Sequence, residues 1–98
     1  MLEPIYKEFF KTLGNQQRIK IVLALLDGDK TVTQIAENIK GEQSTVSHNL
    51  KRLLKCSFIS VKPRGKERVY SVNKTTIAPL FKLIKKHANQ YCQKLCCK

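Results

Sequence analysis

The stretch "GEQSTVSHNLKRLLK", residues 41–55, carries two patterns at once. Val46, Leu50, Leu53 and Leu54 stand at i, i+4, i+7 and i+8, which on a helix is one apolar stripe. With that stripe buried, Gln43, Ser44, Thr45, Ser47, His48, Lys51 and Arg52 lie outside it or on its borders. Such a face is rich in hydroxyl, amide and cationic groups. It is either an ordinary solvated surface or one built to meet a polar, negatively charged partner.

Composition favours the second. The chain has 98 residues, enough for one compact domain (1–98), and 42% of them are hydrophobic, which suits a folded globular chain. Nineteen Lys and Arg stand against seven Asp and Glu, for a formal net charge of +12. An excess of that size on a small domain points to a polyanion, because each phosphate neutralised releases counterions. The longest apolar run, "IVLALL" at residues 21–26, is far short of the ~20 residues a bilayer helix needs. "MLEPIYKEFF" lacks the basic start and apolar stretch of a signal peptide. The chain is therefore expected in the cytoplasm, where thiols are mostly reduced. On that basis Cys56, Cys92, Cys96 and Cys97 are read as thiols for a metal or a redox signal, not as structural disulfides.

Gly14-Asn15, Asp27-Gly28-Asp29, Gly41 and Pro63-Arg64-Gly65 punctuate the chain. A first helix is predicted over 5–13, with Ile5, Phe9, Phe10 and Leu13 at helical spacing after Pro4. Asn15 caps a second, running to about Asp27, whose inward stripe is Ile19, Val22, Leu23 and Leu26, with Arg18 and Lys20 outside it. A third begins at Thr33 as cap and turns Ile35, Ala36 and Ile39 inward. Gly41 breaks it before the opening stretch. Residues 58–72 then alternate roughly in twos around a "KPRGK" turn, which reads as a hairpin with a basic tip carrying Arg64, Lys66 and Arg68. Ile77, Leu80, Phe81, Ile84, Ala88, Tyr91 and Leu95 return to threes and fours. They predict a final helix of about 20 residues, over about 76–95 and ~30 Å long.

The predicted fold is mainly α with a small β-hairpin: four helices, the hairpin, a last helix. Two short helices joined at Gly41 form a helix-turn-helix, and the hairpin behind them makes it winged. In such a unit the second helix enters the major groove, mostly with its N-terminal residues. Gln43, Ser44, Thr45, Ser47 and His48 then suit base edges and phosphate oxygens, Lys51 and Arg52 suit phosphates, and the wing cations suit the flanking backbone. The apolar rows on the first and last helices (Ile5, Phe9, Phe10, Ile77, Leu80, Phe81, Ile84, Ala88, Tyr91, Leu95) offer a surface that a monomer would leave exposed.

"LGNQQRIKIVLALL" and "QSTVSHNLKRLLKCSFISVKPRGKERVYSV", with this order of elements, resemble the ArsR/SmtB family of winged-helix, metal-sensing repressors. The resemblance covers about Phe9 to Asn89. It implies a homodimer, paired through first and last helices, that sits on an operator and leaves it when an inducer binds. One departure is Glu42, where the family usually caps the recognition helix with Ser or Thr. A carboxylate favours a helix N-terminus but repels phosphate, so it either tunes affinity or points away.

The family's metal sites are not carried over. Its third-helix cysteine site has no counterpart in "VTQIAENIK". At the positions of its last-helix site stand Lys74, Thr76, His87 and Gln90, of which His87 alone could bind a metal. That leaves "CQKLCCK". Cys92 and Cys96 share a helical face; Cys97 is off it, but a chain end that frays can bring it round. Three thiolates suit a soft ion such as As(III), and some family members sense arsenite through a cysteine trio near the C-terminus. DNA binding itself calls for no cofactor.

The expected function is thus a sequence-specific repressor released by As(III) or another thiophilic ion at Cys92, Cys96 and Cys97. Two alternatives stand beside it: a redox- or sulfide-responsive repressor switching by disulfide formation, and a ligand-independent winged-helix or architectural DNA-binding protein. An enzyme is not expected. The Ser–His proximity, Ser44 or Ser47 with His48, lies on the DNA face without an orienting carboxylate.

Overall fold

The computed structural model describes residues 2–92, and of Cys92 the backbone alone. Five α-helices and one hairpin follow in the predicted order: α1 (Glu3–Leu13), α2 (Gln16–Leu26), α3 (Val32–Ile39), α4 (Gln43–Lys55), β1 (Ile59–Arg64), β2 (Glu67–Val72) and α5 (Ile77–His87). A π-helical turn, Ala88–Cys92, continues α5. Among the described residues no helix is long and apolar enough to cross a membrane.

Local chemistry sets most boundaries. Pro4 stands in the first turn of α1, where its missing N–H costs nothing. The Asn15 side chain caps α2 by accepting from Arg18 N at 3.0 Å. The cap of α3 is Thr31, not Thr33. Thr31 Oγ1 accepts from Gln34 N at 3.3 Å while Thr31 N donates to Gln34 Oε1 at 2.9 Å. This reciprocal box needs its two members three residues apart, which selects Thr31 over Thr33.

Both ends of the loop-and-helix segment around α4 are closed by left-handed residues that are not glycine. Lys40 (φ 57°) ends α3, and Gly41 N reaches back to Ala36 O at 2.9 Å. Ser57 (φ 59°) follows α4, with Ser57 N bonded to Leu54 O at 3.0 Å and Phe58 N to Leu53 O at 3.0 Å. That is a Schellman closure, with Phe58 and Leu53 both buried as its apolar pair.

The hairpin is tighter than expected. Pairing runs from Ile59↔Val72 through Val61↔Tyr70 to Arg64↔Glu67, so the "KPRGK" segment is mostly strand and the loop is Gly65–Lys66 alone. Gly65 takes φ +64°, which a two-residue hairpin loop demands of its first residue. Pro63 is tolerated because a two-stranded ribbon leaves each strand one free edge. Ile59, Tyr70 and Val72 face the core, whereas Val61, nearer the tip on the same face, has run past it. A β-bridge also ties the ribbon to the segment before α3: Tyr70 N donates to Lys30 O at 2.8 Å and Lys30 N to Tyr70 O at 3.1 Å.

The core gathers Ile21, Val22 and Leu25 of α2, Ile35 of α3, Val46, Leu50 and Leu53 of α4, with Phe58, Ile59, Tyr70, Val72 and Ile77. One expectation fails here. The buried face of α2 is Ile21, Val22, Ala24 and Leu25, not the Ile19–Leu23–Leu26 row: Leu23 is 49% exposed, and Ile19 and Leu26 are half-buried. The run "IVLALL" is apolar on all sides, so its periodicity does not fix its phase. The final helix is α-helical to His87 and continues as the π turn to Cys92; the rest of the expected span to about 95 lies outside the described residues. A π turn takes one residue more than an α turn, which displaces the three-and-four spacing over Ala88–Cys92.

Replacing Ser57 with glycine tests the closure of α4. Removing the Cβ from a left-handed position is expected to raise stability by about 1 kcal/mol. Urea unfolding would show a higher midpoint with an unchanged slope; an unchanged or lower midpoint would mean that Ser57 is not strained.

Candidate nucleic-acid interface

The α3–α4 turn is built on a close approach. A Cβ on Gly41 would meet Gln17 Nε2 of α2 at 3.0 Å. The same Gln17 side chain accepts from Asn49 Nδ2 at 3.1 Å, and Asn49 Oδ1 accepts from Arg18 Nε at 3.0 Å. Arg18 Nη1 goes on to Thr12 O of α1 at 3.2 Å. One polar network therefore ties α1, α2 and α4 together beside the apolar core.

This network corrects one expectation, that Arg18 lies outside the α2 stripe. Arg18 turns inward, its Nε bonded to Asn49 of α4 and its Nη1 to the Thr12 carbonyl near the end of α1. Asn49 also turns inward: it is 5% exposed and bonded inside the protomer. The spacing already contained the clue: Asn49 lies three residues after Val46 and four before Leu53, on the buried side.

The outer face follows from the same rotation. At about 100° per residue, Ser44, His48 and Lys51 fall opposite Val46, Leu50 and Leu53. All three are exposed, as are Gln43 and Thr45, while Ser47 is half-buried. Gln43 Nε2 donates to Thr33 Oγ1 at 3.3 Å, which leaves its carbonyl oxygen outward. Arg52 departs from expectation. It sits on the flank next to α1, 32% exposed, with Nη2 3.4 Å from Glu8 Oε1 and its Nε buried without a partner. In this arrangement it holds α1 instead of extending the Lys51 side. An exposed pair of this kind adds only ~0–1 kcal/mol to stability. On the hairpin, Arg64, Lys66 and Arg68 are all exposed at or beside the tip.

The residues expected between protomers divide. Ile5, Phe10, Ile84 and Tyr91 are exposed, Phe10 at 62% and Tyr91 at 73%, and Leu2, Tyr6 and Leu83 join them. Leu80, Phe81 and Ala88 are half-buried. Phe9 is half-buried against Phe58, ring centroids 5.0 Å apart. Ile77 is corrected: at 3% exposure it belongs to the protomer's own core, because it opens α5 directly behind Val72. Leu95 lies outside the described residues.

So do Cys96, Cys97 and the side chain of Cys92. Among the described residues no group of three or more His, Cys, Asp or Glu is placed to hold a metal. Cys56 is an exposed free thiol whose Sγ lies 3.6 Å from Thr12 Oγ1.

Asn49→Ala removes two bonds and leaves the Arg18 guanidinium without one of its acceptors. The expected cost is about 2 kcal/mol in chemical denaturation. Paired with Arg18→Ala in a double-mutant cycle, the two losses should overlap by ~1 kcal/mol or more; simple additivity would deny the network.

Comparison with known proteins agrees with this geometry. The family model for bacterial regulatory proteins of the arsR family matches residues 15–61, from the α2 cap into β1. The HTH-type transcriptional regulator Rv0081 of Mycobacterium tuberculosis (strain H37Rv) is 33% identical over 88 residues, covering 86% of this chain and 77% of the relative. Its crystal structure matches with a TM-score of 0.84 at 29% identity, over 94% of this chain and 96% of that one. The cadmium resistance transcriptional regulatory protein CadC of Lactococcus lactis is 35% identical over 81 residues, 82% of this chain and 68% of the relative. The homodimeric winged helix-turn-helix DNA-binding domain of Mb0332 from Mycobacterium bovis matches with a TM-score of 0.83 at 25% identity, over 91% of this chain and 82% of that one. These relatives are regulators of transcription and not enzymes. The chain belongs to the ArsR family of winged helix-turn-helix, DNA-binding transcriptional regulators.

Proposed function

We propose that the chain acts as a homodimeric repressor. It reads an inverted-repeat operator with two copies of α4 and releases it when a thiophilic ion such as As(III) is bound by Cys92, Cys96 and Cys97. The observation that carries the DNA reading is the exposed Ser44–His48–Lys51 face, held opposite a buried stripe and followed in the chain by a wing tipped with Arg64 and Lys66. Two such helices about one DNA turn apart, ~34 Å, meet successive major grooves of a two-fold symmetric site.

Pairing of two copies is supported by the apolar side chains that α1 and α5 leave uncovered, and by the homodimeric state of the Mb0332 domain. The thiophilic inducer is supported by the donor set, three thiols within residues 92–97, and by the cadmium resistance in the name of CadC. Ion uptake near the end of the last helix would shift how the two copies pack and so change the spacing of the α4 pair. A 10- to 100-fold loss of DNA affinity needs only ~1.4–2.8 kcal/mol of coupling.

A gel shift on the DNA directly upstream of the gene tests this. Reduced protein should bind its site at least ~10³ more tightly than random DNA. Arsenite should release it, and a Cys92→Ser, Cys96→Ser, Cys97→Ser triple variant should stay bound. Release that persists in the triple variant removes the trio from the mechanism, and release by a mild oxidant alone points to disulfide switching. On the DNA side, Lys51→Ala should weaken binding to all sequences alike and lower the salt slope by about 1, whereas Ser44→Ala should blur discrimination.

A further inference from the structure

Each of the two preceding capped helices uses its cap side chain, and α4 does not. Asn15 and Thr31 accept from backbone N–H groups of their own helices. Glu42, the cap of α4, has extended backbone angles (φ −77°, ψ 138°) and an exposed side chain that makes no capping bond. Its contribution to the helix is its carbonyl, which accepts from Val46 N at 2.9 Å. Among the described residues none forms an ion pair with its carboxylate. Glu42 is therefore a negative charge at the leading end of the helix that faces DNA, engaged with nothing in the described protomer.

Such a group is costly in that place. It gives up the cap that Ser or Asn would make, and it approaches phosphates. Its charge recovers a little from the helix N-terminus, where a carboxylate is favoured, and a larger gain requires a hydrogen-bond donor on the DNA. A carboxylate accepts and cannot donate, so base chemistry narrows its partner. In the major groove guanine shows two acceptors, N7 and O6. Thymine shows an acceptor and a methyl. Adenine's amino group has the N7 acceptor beside it. Cytosine shows the N4 amino donor alone.

We infer that Glu42 is a specificity-determining residue that selects cytosine at one position in each operator half-site, accepting from the N4 amino group. The inference rests on α4 reading DNA, as proposed above. It assigns the neighbouring Gln43 a lesser share, since Gln43 is already tied to Thr33.

The test is selection of binding sites from a randomised duplex library by the full chain, as wild type, Glu42→Gln and Glu42→Ser. Because the Glu42 side chain is exposed and unbonded, circular dichroism should find all three equally folded. Wild type should yield one cytosine per half-site that is favoured by roughly 5- to 100-fold. Glu42→Gln, which can donate as well as accept, should move that position toward adenine; Glu42→Ser should lose the preference. All other positions should stay as they were. If the three consensus sequences coincide while both variants bind every sequence more tightly, Glu42 only repels phosphate and the inference fails. If the wild type selects no consensus at all, operator reading by α4 fails with it.

Discussion

The rotation of α4 about its own axis is settled on its inner side, where Val46, Leu50 and Leu53 join a core shared with α2 and α3. Apolar packing alone leaves a helix some freedom to roll. Asn49 removes it, because its amide must satisfy Gln17 and Arg18 at once, at 3.1 and 3.0 Å. Hydrogen bonds are directional, so these two act as pins in a way that methyl groups do not. Everything the outer face offers, from Ser44 to Lys51, takes its aim from that inner constraint. Gly41 belongs to the same arrangement: without a Cβ it lets the Gln17 side chain pass behind the turn.

How far the sequence disclosed this depends on how sharply each pattern was phased. The α4 stripe was legible because polar residues interrupt it, and the stripe in turn made the outer face legible. In α2 six apolar residues in a row carry no phase, so of the expected stripe Val22 alone is fully buried. The rotation of α2 is decided by Arg18, whose partners are remote in sequence and so invisible to periodicity. Arg52 misled for a similar reason: its position beside Glu8 follows from where α1 docks, not from α4. The hairpin was found from its alternation. The length of its loop was not, because proline and glycine together suggested a wider turn than the Arg64–Glu67 pairing leaves. The proposed cysteine trio was read from composition and donor chemistry alone.

α1 and α5 stand apart from the rest in what they leave uncovered. α1 is attached by Phe9 on Phe58, by the Glu8–Arg52 pair, by the Thr12 hydroxyl beside Cys56 Sγ and by the Thr12 carbonyl on Arg18, while Ile5, Tyr6 and Phe10 point away. Two of those attachments, to Arg52 and Arg18, run to groups that belong to α4 or hold it. Displacement of α1 would therefore strip the Arg18 guanidinium of one acceptor and free Arg52 from its carboxylate. The protomer's outermost helix and its recognition helix share polar contacts, which is the kind of physical continuity that coupling between sites requires.

The small bridge between Lys30 and Tyr70 has a mechanical meaning. It welds the ribbon to the link between α2 and α3 by two backbone hydrogen bonds, at the level where Tyr70 enters the core. The base of the ribbon is thereby tied to the segment that leads into α3, with the Gly65–Lys66 tip as its far point. Any rotation of that segment would carry the ribbon with it, and the distance from Tyr70 to the tip would turn a small angle at the root into a larger excursion at Gly65.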